Sequence, residues 1–226
     1  LLTGLPVEAD QRPRRVPWIT FSLIAACLLT YVWQLFARGS GDVMEFYRTM
    51  AFVPSRLPAP EAWLGMLRAT FMHDGIFHLL GNMYFLWLFG ESVEDRVPRG
   101  LYLGLFLISG LLAFLAHVPA ADPQIPTLGA SGAVSGIMGA YLLLFPRRQM
   151  YQVRWVIQFR VSAILYIGIW FGMQVLFSLG DDGSAGVAWM AHIGGFIAGL
   201  GLAWLLKRTG VLRDSPEQHA SRLPPP

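Results

Sequence analysis

Six long stretches without a single charged residue constrain this chain more than anything else in it. They run Val16–Ala37, Gly75–Gly90, Gly100–Ala121, Pro123–Pro146, Val161–Gly180 and Gly183–Leu206. A helix needs about 20 residues to cross the hydrocarbon core of a bilayer, and five of the six reach that length. The second is shorter, but the flanking Val93 and Val97 extend it. Lipid offers no partner to backbone N–H and C=O groups, so each stretch is expected to be helical. The expected fold class is therefore an all-α polytopic membrane protein. Residues 16–207 form one six-helix domain between a tail at 1–15 and a disordered tail at 208–226 that ends in Pro224, Pro225 and Pro226. No repeat or second domain is visible.

Composition agrees. Of 226 residues, 54% are hydrophobic and only 14% charged, where a soluble domain carries about 25% charged residues. The net charge of +3 does not point to nucleic acid, because the arginines sit at the ends of apolar runs rather than in one patch. Cys27 is the only cysteine, which excludes an intramolecular disulfide and a cysteine-based metal cluster. No metal and no cofactor is expected. The first apolar run is expected to act as its own insertion signal rather than as a cleavable leader.

Arginine placement sets the expected orientation. Arg12, Arg14 and Arg15 precede the first stretch, and Arg96 and Arg99 follow the second. Arg147, Arg148, Arg154 and Arg160 follow the fourth, and Lys207, Arg208, Arg213 and Arg222 follow the sixth. The connections after the third and fifth stretches carry only Asp122, Asp181 and Asp182. The positive-inside rule then puts both termini in the cytoplasm and the loop from Arg38 to Asp74 outside. Short connections suit a bacterial inner (plasma) membrane. The long loop is rich in Phe46, Tyr47, Phe52, Trp63, Leu64 and Met66. It reads either as a segment lying in the interface or as an ordinary outer loop.

Polar groups inside such spans are costly and usually functional. Ser131 lies in Gly129-Ala130-Ser131-Gly132, and His192 in Ala191-His192-Ile193-Gly194-Gly195. Pro123 and Pro126 disfavour helix in the approach to Ser131, so helix is expected from about Gly129 to Phe145. At 1.5 Å per residue that covers about 25 Å, less than the ~30 Å core. Ser131 thus falls at a sunken helix amino terminus, where free N–H groups favour an oxyanion. Alone, Gly-Ala-Ser-Gly also reads as a packing element, and His192 also reads as a core hydrogen bond, proton relay or metal ligand. Together, at similar depth, they are a nucleophile and a general base. His78 and Asn82 share one helical face near the same end. Both donate hydrogen bonds without carrying charge, which suits oxyanion donors as well as plain interhelical bonding. No carboxylate lies in the outer half of any span, so a Ser–His dyad is the chemistry at hand; Asp74 and Asp122, in outer loops, can approach but are not expected to be catalytic. Small residues at four-residue spacing, Gly132-Gly136-Ala140 and Ala191-Gly195-Gly199, predict close approach of the fourth and sixth helices.

These residues resemble the rhomboid family of intramembrane serine proteases. His73 and the His78-x-x-x-Asn82 that follows look like the family's second-span signature. Gly129-Ala130-Ser131-Gly132 is similar to its Gly-x-Ser-Gly, and Ala191-His192 with Gly195 and Gly199 to its last-span motif. The likeness runs from about Pro17 to Leu206. It implies a six-transmembrane-helix rhomboid-like bundle, with Ser131 as nucleophile, His192 as base, and His78 and Asn82 as oxyanion donors. The implied activity is endoproteolysis of transmembrane segments of membrane-protein substrates near the outer face. Two departures stand out. Ser135 occupies the position where many members stack an aromatic ring on the histidine, and Trp63 and Arg68 are not adjacent where many members have a Trp-Arg pair. Two other readings remain: a catalytically silent protein that binds transmembrane helices, and a transporter lined by His73, His78 and His192. The second is weakened by the lack of acidic residues in the spans.

Overall fold

The fold was analysed in a computed structural model, which describes residues 5–8, 14–154, 157–181 and 186–213. Among the described residues eight α-helices follow in order: α1 (Trp18–Ala37), α2 (Val43–Met50), α3 (Pro60–Ala69), α4 (Ile76–Arg96), α5 (Arg99–His117), α6 (Ser131–Leu144), α7 (Ala163–Gly180) and α8 (Trp189–Arg208). Six of them fall on the six uncharged stretches. The helices α1, α5, α7 and α8 are long and apolar enough to cross a membrane. The two exceptions both carry candidate site residues. Helix α4 contains His78, Asn82 and Glu91, and α6 has only 14 residues.

Helix α6 is the hub. Every residue from Gly132 to Tyr141 is buried, and α6 lies against α8 along the two small-residue ribs. A side chain at Gly195 would overlap the Gly132 carbonyl oxygen, and one at Gly199 the Gly136 carbonyl oxygen. Backbones in direct contact leave room only for glycine, and dispersion then holds the pair together without a hydrophobic drive. The core around this pair includes Phe89, Tyr102, Phe106, Ile137, Met138 and Tyr141, each fully buried.

Helix α4 continues past its uncharged stretch to Arg96 because its charges have partners. The Glu94 carboxylate is buried and accepts the N–H groups of Ile19 (3.0 Å) and Thr20 (2.8 Å) and the Thr20 hydroxyl (2.8 Å). It therefore caps α1 from a neighbouring helix, supplying negative charge where the α1 dipole is positive. Arg213 closes the same end by donating its N–H to the Arg96 carbonyl.

The long first loop is folded rather than open. Helix α2 is capped by Asp42, whose side chain accepts the Met44 N–H, and α3 starts at Pro60, where a missing N–H costs nothing. Phe52, Met66 and Met72 form a separate small core with Phe114 of α5.

One departure from a purely helical reading lies between α6 and α7. Strands β2 (Gln149–Arg154) and β3 (Ile157–Ser162) pair antiparallel, and β1 (Leu5–Glu8) adds to β2. Their paired Met150 and Val161 are buried beneath the bundle. The sequence holds a short period-2 signal here, in which Tyr151 and Val153 alternate with Gln152 and Arg154. The reading of the carboxyl tail as disordered bears mainly on residues 214–226, which lie outside the described residues.

Candidate active site

All four candidate residues line one cavity of about 710 Å³, together with Asp74, Phe85, His117, Met138, Trp170 and Trp189. They arrive on three helices. His78 and Asn82 come from the first two turns of α4, Ser131 is the first residue of α6, and His192 lies in the first turn of α8. Helix α7 contributes Trp170 and Ser178 to the same lining.

The approach to Ser131 is stitched to the first loop. Thr127 donates its N–H to the Phe52 carbonyl (2.8 Å), Gly129 to Ala69 (2.9 Å), and Ser55 to Pro123 (2.9 Å). These bonds hold an extended segment across the bundle until α6 begins. Gly129 has φ +126°, a conformation that side chains resist. A Cβ there would also lie 2.8 Å from His78 Nε2 and 3.7 Å from Ser131 Oγ. The histidine ring edge and the serine hydroxyl thus flank one spot that only glycine leaves open.

Helix α6 makes its first helical bond from Val134 N–H to the Ala130 carbonyl. The N–H groups before it have no place in the helical ladder and collect at the end that carries Ser131. Ser135, one turn further on, donates its hydroxyl to the Ser131 carbonyl (2.7 Å) and is buried. Its hydroxyl is thereby tied into its own helix. Gly132 in turn faces the Ala191 carbonyl, 3.6 Å from where a Cβ would stand, which brings the start of α6 against the start of α8.

His192 has a partner that sequence reasoning missed. Its Nδ1 lies 2.8 Å from Oε1 of Gln174 on α7. The Trp170 ring, one turn earlier on α7, lies with its centroid 6.3 Å from that of His192, and Trp189 stands edge-on at 6.2 Å. The signal was available: Gln174 is the one carboxamide in the stretch Val161–Gly180, and polar groups there need a reason.

His78 is held in two directions. Its Nδ1 lies 2.6 Å from Asp74 Oδ1, and the buried His73 ring meets it edge to face at 5.1 Å. Asp74, a loop residue able to approach the site, does so: four positions before His78, its carboxylate reaches the ring from just ahead of α4. That hydrogen bond holds the Asp74 carboxyl below its ordinary range, outweighing partial burial. Asp122 reaches the cavity rim, where it accepts the Gln124 N–H. His73 itself is clasped through its backbone. Gln34 of α1 donates to its carbonyl and accepts from its N–H, at 3.0 and 3.1 Å. Asn82 is buried, and its Nδ2 has no hydrogen-bond partner among the described residues. Asn82 belongs to the cavity lining, and a buried donor left unpaired is unusual; it is the kind of group that an oxyanion hole requires. Among the described residues no group of three His, Cys, Asp or Glu side chains is placed to hold a metal ion.

Comparison with known proteins shows the family. Residues 60–209 match the family model described as the Rhomboid domain. Rhomboid protease GlpG of Salmonella newport is 30% identical over 207 residues, covering 88% of this chain and 67% of that protein. Rhomboid protease GluP of Bacillus subtilis is 29% identical over 185 residues, covering 81% of this chain and 34% of that protein. The human presenilin-associated rhomboid-like protein, mitochondrial, is 29% identical over 133 residues, or 57% of this chain and 33% of its own length. The chain therefore spans about a third of GluP and of the mitochondrial relative. With the family's domain matched over most of its length and a helical bundle built on that domain's motifs, this chain belongs to the rhomboid family.

Proposed function

We propose that this protein is an intramembrane serine endopeptidase of a bacterial plasma membrane, with both termini cytoplasmic. Its substrates are transmembrane segments of other membrane proteins, cut in the outer half of the bilayer. The observation that carries the reading is the convergence of Ser131, His192, His78 and Asn82 on one cavity at the end of the bundle where α4, α6 and α8 begin.

The chemistry follows from the groups present. His192 takes the proton of the Ser131 hydroxyl as that oxygen attacks the scissile carbonyl. The oxyanion is received by Asn82 Nδ2 and by the free N–H groups at the start of α6; His78, whose Nδ1–H is given to Asp74, adds an Nε2–H only as the doubly protonated ring. His192 then returns the proton to the leaving amine, and water hydrolyses the acyl-enzyme. An intact substrate helix hides its carbonyls in its own hydrogen bonds, so small or helix-breaking residues should mark the cut site.

The test is cleavage of single-span substrates in detergent, with fragments and fluorophosphonate-labelled peptides read by mass spectrometry. Ser131→Ala is expected to abolish both cleavage and labelling, and His192→Ala to abolish cleavage. Ser135→Ala should retain the label at Ser131. Cleavage that survives Ser131→Ala would overturn the nucleophile, and fragments from the inner half of the substrate span would overturn the orientation.

A further inference from the structure

With Ser135 in place of an aromatic residue, nothing on α6 stacks against His192, and α7 supplies the contact instead. Gln174 is one of only four buried residues that α7 presents among the described ones, and it is the polar one of the group that reaches His192. A carboxamide has two ends, and the backbone decides which one faces the imidazole. Nε2 of Gln174 donates to the Trp170 carbonyl at 3.4 Å, one turn back on the same helix. Reversing the amide would set its oxygen against that carbonyl, two acceptors in contact with no proton between them. The end facing His192 is therefore the oxygen, at 2.8 Å from Nδ1. An oxygen can only accept, so Nδ1 must carry the hydrogen.

Resting on the reading of His192 as the base, we propose that Gln174 is its positioning residue. By accepting the Nδ1–H it fixes the tautomer whose Nε2 lone pair is free to take the Ser131 proton. The geometry does the work that a carboxylate does in a triad, with a neutral group that suits a site among apolar helices. The indoles of Trp170 and Trp189 limit rotation of the ring about that hydrogen bond. When His192 becomes imidazolium during attack, the same oxygen stabilises the charge at Nδ1. No proton passes to Gln174 at any step.

The pH profile separates this role from mere packing. A base must be neutral to act, so cleavage falls on the acid side as His192 protonates. The other titratable groups on the cavity are His78 with Asp74 beside α4, His117 of α5, Asp122, and Asp181 at the end of α7. All of these are unchanged when Gln174 alone is replaced. The experiment measures kcat, KM and the acid limb for the wild type, Gln174→Leu and Gln174→Glu in detergent, with His192→Ala as reference.

Gln174→Leu is expected to lower kcat by about 10- to 100-fold, the usual loss when a group orienting a functional imidazole is removed, with KM little changed. Its acid limb moves to lower pH, while that of Gln174→Glu moves to higher pH. A second measurement needs no variant: nitrogen NMR of the native protein labelled in histidine should show His192 protonated at Nδ1 and bare at Nε2. Equal kcat and coincident acid limbs in all three proteins, with His192→Ala inactive, would overturn the role of Gln174 and leave the protease reading standing. An Nε2–H tautomer in the native protein would do the same, whether or not the variants fold. Cleavage by His192→Ala would overturn both.

Discussion

Asn82 shows at the scale of one residue how function and stability pull apart. A buried donor without a partner costs about 1–3 kcal/mol of desolvation in the folded state. Asn82 Nδ2 is such a donor, on a helix whose other buried residues near it, Leu79, Met83 and Leu86, are apolar. A residue kept only for packing would be one of these. Asn82→Leu is therefore expected to hold or raise the thermal midpoint of the detergent-solubilised protein. It should at the same time lower kcat by about a hundredfold, corresponding to ~3 kcal/mol for one oxyanion donor. A parallel fall in stability and turnover would show that Asn82 is structural. The same scale explains what the sequence could not reveal. The identities of Ser131, His192, His78 and Asn82 stand out because hydrocarbon makes polar groups conspicuous. The Asp74–His78 contact is a matter of one side chain turning back across a helix start, which spacing permits but does not compel.

At the scale of elements, the α6–α8 pair was legible because its rule is steric. Glycine every fourth residue on two spans leaves two smooth faces, and the carbonyl oxygens of Gly132 and Gly136 lie where side chains at Gly195 and Gly199 would be. Gly199→Ala is expected to destabilise by about 1–3 kcal/mol as the helices are forced apart. Gly201, on the same helix, has open space around its Cβ position. Gly201→Ala should be neutral or stabilising by up to ~1 kcal/mol, since alanine is the better helix former. Thermal midpoints of the two variants in one detergent decide the matter, and equal effects would mean that α8 does not pack through its glycine face. The β2–β3 hairpin and the helices of the first loop were less legible for the opposite reason. Their signals are short and compete with the stronger requirement that apolar runs enter the membrane. The role of α7 was hidden too, because a single Gln174 among apolar residues states a need for a partner without naming it.

Across the whole molecule, polar chemistry is divided between the two ends of α4. One end carries Glu94, whose carboxylate is used up in capping α1. The other carries a concentration of histidines: His73, His78, His117 and His192 surround or border the cavity end, and only His219 lies outside the described residues. The acid response of the fold should therefore come from the cavity end. His73, in the loop before α4, is fully buried and makes no well-formed side-chain hydrogen bond among the described residues. Burial lowers its pKa from 6.5 to about 4, with His78 acting in the same direction and the Phe71 backbone opposing. Between those two values the unfolded chain binds a proton that the folded protein refuses, so stability rises with pH through this window. The stabilisation is complete above pH 6.5 and is lost on acidification toward pH 4, by an amount on the order of 3 kcal/mol. Asp74 adds a smaller loss in the same direction, but only at more acid pH, as its carboxyl is protonated. His73→Phe keeps a ring against His78 and removes the titrating group, while the Gln34 clasp holds the backbone and is unaffected. Thermal midpoints measured from pH 7.5 down to 4.5 should fall steeply for the wild type and more gently for His73→Phe, with the two curves converging toward neutral pH. Parallel curves would place the acid sensitivity elsewhere in the histidine cluster and leave His73 as a packing residue alone.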